Sequence, residues 1–100
     1  MDKIQITGKQ AKIIDFCRRN QVKSLALFGS VLRADFRSDS DVDILVEFEP
    51  GARVGFLALG RMQRELTALL ERPVDLVPLD GLKPVLRQDV LTSAEVIYAG

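Results

Sequence analysis

Leu25-Ala26-Leu27-Phe28-Gly29-Ser30, followed after ten residues by Asp41-Val42-Asp43-Ile44-Leu45-Val46, is the stretch on which the fold turns. Val22 to Phe28 is rich in strand-forming and apolar residues and stops at Gly-Ser, the pattern of a strand entering a tight turn. Beyond it, Val42 to Phe48 is the clearest strand of the chain. A two-residue period puts Val42, Ile44, Val46 and Phe48 on one face and Asp41, Asp43, Leu45 and Glu47 on the other. One face is core; the other carries acid.

On the N-terminal side of this stretch, Thr7-Gly8-Lys9-Gln10 resembles a capping box. Ala11, Ile14 and Cys17, flanked by Ile13 and Phe16, then make the apolar stripe of a helix ending near Asn20. Leu32 and Phe36 suit one face of a short helix opened by the Gly-Ser turn, and Arg37-Ser38-Asp39-Ser40 reads as a polar loop. After Pro50-Gly51, the residues Phe56, Leu59, Met62, Leu66, Leu69 and Leu70 recur at helical spacing up to Arg72-Pro73, which predicts a long amphipathic helix. Val74 to Pro78 is a third short strand, Leu82 to Leu91 a helix, and Ala94 to Tyr98 a last β-like segment. Strands alternating with helices predict an α/β (α+β) layer, a mixed sheet with helices on one face and the other face open. With no linker or repeat, residues 1–100 read as one domain, and a chain of this length buries only about two-thirds of its unfolded surface.

Composition narrows the chemistry. Lys plus Arg and Asp plus Glu are 14 each, so no global basic field draws the molecule onto nucleic acid or an acidic membrane. Apolar residues make up 47% of the chain, which argues against disorder. The longest apolar runs are too short to cross a bilayer, and the only cysteine, Cys17, excludes an internal disulfide. The expected location is therefore cytoplasmic. Cys17 itself reads as a small buried hydrophobe. There is no histidine; the commonest general base and transition-metal ligand is missing, so acid–base or metal chemistry falls to carboxylates.

The pattern Gly-Ser, ten residues, Asp-x-Asp arises by chance on the order of once per thousand chains of this length. A strand-to-helix turn aims unpaired amides at an anion, and glycine lets the backbone approach closely, so Gly29 and Ser30 suit the phosphates of a nucleoside triphosphate. Two aspartates one strand residue apart project from one face and offer the hard oxygen ligands that magnesium prefers. Such a pair suits a two-metal site that activates the attacking oxygen and steadies the leaving group. Asp75, in a short strand that can pair beside the Asp43 strand, is the candidate third carboxylate and the candidate receiver of the acceptor's proton. Arg33, in the turn-helix, is a candidate for neutralising phosphate charge; Arg37 and Arg53 fall in loops where solvation is the default. Asp39 reads as a turn residue. Asp80 and Asp89 are weaker candidates, in a turn and a helix.

LFGS, DVDILV and PVDLV in this order resemble the minimal nucleotidyltransferase family, within the DNA polymerase beta nucleotidyltransferase superfamily. The resemblance extends from the helix before LALFGS to the EVIYA ending. It implies Gly29 and Ser30 at the triphosphate, Asp41 and Asp43 on magnesium, and Asp75 as third carboxylate. Many members of that family are antitoxins paired with a HEPN-domain ribonuclease toxin, and some transfer AMP from ATP to a tyrosine of the toxin. One departure is visible: members often carry arginine directly after Gly-Ser and glycine four positions after the serine, where this chain has Val31 and Ala34. Arg33 keeps one basic position.

Three functions compete on this reading. The first is magnesium-dependent transfer of a nucleoside monophosphate, AMP by preference, to a hydroxyl of a partner protein. The closeness of Tyr98 to the end of the chain favours a partner that brings its own binding surface. The second is a non-catalytic antitoxin that neutralises its toxin by burial, for which an apolar helix face around Phe56 and Met62 is available, although core packing is the commoner use of such a face. The third is a sensor that binds ATP without turnover. A homo-oligomer stays open under all three.

Overall fold

The computed structural model describes residues 8–29 and 41–100. The expected short helix at Leu32–Phe36, together with Ser30, Arg33, Arg37 and Asp39, lies outside them.

Helix α1 runs over Gln10–Arg19. It starts two residues later than a capping box on Thr7 would place it, because Gly8 has φ +87°, which no helical residue adopts. Lys9 stands at the N-cap without a side-chain capping bond; its Nζ pairs with Glu71 at 3.2 Å. The Gln10 side chain instead folds back on the residue before the cap, its Oε1 accepting from the Gly8 N–H at 2.8 Å. The buried face is also rotated from the expected one: Ile13, Phe16 and Cys17 are enclosed, whereas Ile14 is 37% exposed. Turning Phe16 and Ile13 inward removes more apolar surface from water than Ala11 and Ile14 would. At the other end Arg18 and Arg19 complement the helix dipole, and Asn20 Nδ2 donates to the Phe16 carbonyl at 2.8 Å.

Strand β1 (Val22–Phe28) follows, then β2 (Val42–Phe48), α2 (Phe56–Leu70), β3 (Val74–Pro78), a 3-10 turn (Leu79–Gly81), α3 (Pro84–Ser93) and β4 (Glu95–Ala99). α3 begins two residues later than expected because Pro84 occupies its first turn, where a fixed φ and a missing N–H cost nothing. The four strands lie in the order β3-β2-β1-β4. β1 pairs antiparallel with both β2 and β4, and β2 pairs parallel with β3. The sheet is mixed, as the alternation of elements predicted.

Its core lies between the sheet and helices α1 and α2. Leu25 and Leu27 of β1, Val42, Ile44 and Val46 of β2, and Val74 and Leu76 of β3 meet Ile13, Phe16, Met62, Leu66 and Leu70. The alternation read from β2 therefore holds. Along α2 the buried line is Met62, Leu66 and Leu70. Phe56, expected on that line, is 88% exposed; six residues at 100° each leave it about 120° away from Met62 around the helix.

The opposite face is more than acid. Val96, Ala26, Leu45 and Val77 stand in register across all four strands, and Ala26 and Leu45 are buried outside the helix-side core. An apolar row thus runs beside the aspartates.

Candidate active site

The site is built at the end of the sheet where β1 finishes and β2 and β3 begin. The chain leaves β1 at Phe28, which pairs with Asp43. The next residue, Gly29, has φ +77°, a left-handed conformation that favours glycine. Space demands glycine as well. A Cβ placed there would overlap the Asp43 carboxylate, with its Cγ only 3.2 Å away. The turn backbone and the carboxylate of the neighbouring strand are therefore packed together, and a side chain at position 29 would separate them.

Asp43 is half-buried, and on its other side β3 places Asp75 directly alongside in the parallel register. Both point away from the helix-side core, because their neighbours Val42, Ile44, Val74 and Leu76 point into it. Asp41 precedes the first residue of β2 and is exposed. The β2–β3 junction beneath it is fixed by the Val42 N–H donating to the Pro73 carbonyl at 2.8 Å. The structure thus brings Asp43 and Asp75 together and sets Gly29 against Asp43. Asp41 stands one step outside this pair, and among the described residues no group of three or more His, Cys, Asp or Glu side chains is gathered closely enough to hold a metal ion. Ser30 and Arg33, the other candidates, lie outside the described residues.

The donor set that is present suits magnesium in kind. Magnesium is commonly held by one or two carboxylates together with substrate phosphates and waters, and Asp43 and Asp75 are two adjacent carboxylates of hard oxygen donors. Zinc or copper would call for nitrogen or sulfur; there is no histidine, and Cys17 is buried in the core.

Two contacts that sequence reasoning missed shape this site. β3 is an edge strand, yet two of its N–H groups are satisfied by α2: Val74 N–H donates to Thr67 Oγ1 at 3.2 Å and Leu76 N–H to Gln63 Oε1 at 2.9 Å. These bonds flank Asp75. The signal was present in the sequence as two polar residues four apart, Gln63 and Thr67, bordering the apolar line of Met62, Leu66 and Leu70.

The remaining candidates fall away from the pair. Asp80 lies in the 3-10 turn and Asp89 in α3, both exposed. Burial pushes the Cys17 thiol up to about 12, so it is a core residue and no nucleophile. Glu47 sits at the opposite end of the same sheet face, where it accepts a 3.4 Å hydrogen bond from Ser24 Oγ. Among the described residues no helix is long and apolar enough to cross a membrane.

Comparison with known proteins agrees with this fold. The chain is 36% identical over 91 residues to a protein of Methanocaldococcus jannaschii provisionally named a protein adenylyltransferase, covering 91% of this chain and 96% of that protein. It is 40% identical over 77 residues to the protein adenylyltransferase MntA of Thermococcus cleftensis, covering 77% and 74% of the two chains. Among solved structures, one provisionally named a minimal nucleotidyltransferase superposes with a TM-score of 0.74 at 37% identity, over 98% of this chain and 96% of that one. A toxin–antitoxin complex with AMP-PNP gives 0.72 at 29% identity, over 91% and 73%. The complex of a tri-AMPylated HEPN toxin with its MNT antitoxin, from Shewanella oneidensis, gives 0.67 at 27%, over 94% and 72%. The family model for the nucleotidyltransferase domain matches residues 11–97, a span that contains the Gly29 turn, both in-register aspartates, strands β1 to β3 and the start of β4, and the chain belongs to that family.

Proposed function

We propose that this chain transfers AMP from ATP to a hydroxyl group of a partner protein, and that the partner is the HEPN-domain toxin of a toxin–antitoxin pair in which this chain is the antitoxin. The observation that carries the chemistry is the in-register pair Asp43 and Asp75 with Gly29 packed against it. Similarity to MntA adenylyltransferases and to a complex with a tri-AMPylated HEPN toxin supports the choice of nucleotide and partner.

In this reading Gly29 and Ser30 present the turn to the triphosphate and Arg33 offsets its charge. The acceptor oxygen attacks the α-phosphorus; a new O–P bond forms, the bond between the α-phosphorus and the bridging oxygen breaks, and pyrophosphate leaves. Asp75 takes the proton that the acceptor hydroxyl gives up and returns it to solvent. Asp41, Asp43 and Asp75 would hold the magnesium, which when bound supplies positive charge against the phosphates and the departing pyrophosphate. The packing of Gly29 on Asp43 keeps the phosphate turn and the carboxylates at one place, which is the positioning that phosphoryl transfer chiefly requires.

A second reading, an antitoxin that acts by binding alone, is favoured by the loss of the usual arginine and glycine at Val31 and Ala34. The two separate in one experiment. Purified protein is incubated with α-labelled ATP, magnesium and an extract containing the partner, beside an Asp41→Asn/Asp43→Asn double variant that retains its fold. Label on a discrete protein with the unmutated chain only is the expected result. An absence of label, with toxin neutralisation unchanged in the double variant, would favour binding alone.

A further inference from the structure

We infer that Gln63 and Thr67 are positioning residues for the site, holding Asp75 beside Asp43 through the backbone on either side of it. The inference rests on the assignment of Asp75 to the site made above and extends it to two side chains of a different element.

The geometry is specific. Gln63 and Thr67 are four apart on α2 and so present adjacent groups on one helix face. Thr67 Oγ1 accepts from Val74 N–H and itself donates to the Gln63 carbonyl at 2.9 Å. Gln63 Oε1 accepts from Leu76 N–H. The two acceptors therefore hold the residues immediately before and after Asp75, both of which are buried. Asp75 itself is exposed.

β3 needs such a hold. Among the described residues its one strand neighbour is β2, and the register sets two carboxylates side by side across that pairing. Like charges directly opposite one another push strands apart. Without the bonds from α2, an edge strand under that repulsion has little to resist a shift or a lift from the sheet. A slip by one residue would turn Asp75 into the core and Val74 or Leu76 out. Bonds from α2, which is anchored in the core by Met62, Leu66 and Leu70, oppose that movement from the side where β3 has no strand partner.

The test uses the full chain with Gln63→Leu and Thr67→Val, which remove the acceptors, and Gln63→Glu and Thr67→Ser, which keep them. In the protein without nucleotide, NMR reads the amide exchange of Val74 and Leu76 and the cross-strand contacts between residues 43 and 75. Faster exchange by at least tenfold and weakened 43–75 contacts are expected in the first two variants, with near-native values in Thr67→Ser and the rest of the sheet unchanged. In AMP transfer, kcat should fall by at least tenfold while KM for ATP stays within twofold, with recovery in Thr67→Ser. Unchanged exchange and contacts would overturn the inference, as would lost contacts with unchanged kcat. If the unmutated chain transfers no AMP, the proposed activity fails on its own, and the NMR comparison still decides whether α2 positions Asp75.

Discussion

Gly29 concentrates two constraints in one residue, a φ of +77° and a Cβ position already taken by the Asp43 carboxylate. Gly29→Ala is therefore expected to destabilise the fold by about 1–3 kcal/mol from backbone strain alone, measured by chemical denaturation. It should also displace Asp43 and abolish AMP transfer even where the variant remains folded. Cys17 makes a different kind of prediction. Its ordinary value is 9.0 and burial raises it to about 12, so the unfolded chain loses this proton first as pH rises. The unfolded state then binds fewer protons than the native one, and stability falls from about pH 9 upward. Comparison with Cys17→Ala over that range isolates the effect, and the native thiol should resist alkylation at pH 8 while the unfolded one reacts. The glycine was legible in the sequence as a turn residue; its contact with Asp43 was not, because that contact joins the turn after β1 to a residue of β2.

Elements announce themselves through short-range rules, and so the bounds of β1, β2 and β3 agree with those read from two-residue alternation and from the Gly and Pro stops. The face that an element buries is less local. α1 turned toward Phe16 rather than centring on Ile14, since the larger side chain gains more by leaving water. α2 shows both outcomes: Met62, Leu66 and Leu70 form the core line, while Phe56 and Leu57 stand 88% and 85% exposed. Leu66→Ala should cost about 2–5 kcal/mol, as large-to-small changes in a closed core do. Phe56→Ser and Leu57→Ser should each stay within about 0.5 kcal/mol of the unmutated chain, both read from denaturation midpoints. A large loss on changing Phe56 would mean that the first turn of α2 is packed, contrary to its exposure.

At the scale of the molecule, the proposed activity depends on a cation that the fold does not need. Its core is a sheet covered by α1 and α2, with the aspartates outside it. Chelation by EDTA is therefore expected to abolish transfer of AMP and leave the circular dichroism and thermal midpoint of the nucleotide-free protein nearly unchanged. A large fall in the midpoint would instead make the metal structural. The balanced charge of the chain leaves partner recognition to local surface chemistry, since no net field steers the encounter. The amino-acid sequence by itself determined the kinds and order of the elements, the mixed α/β layer, and the outward direction of Asp43 and Asp75, because side-chain alternation and turn chemistry act over a few residues. Only the tertiary structure decided that β3 lies parallel beside β2 with Asp75 opposite Asp43, that Gly29 closes on Asp43, and that Gln63 and Thr67 grip the edge strand. Register between distant strands is set by how α2 and the sheet bury their apolar faces together, and that balance is a property of the assembled core.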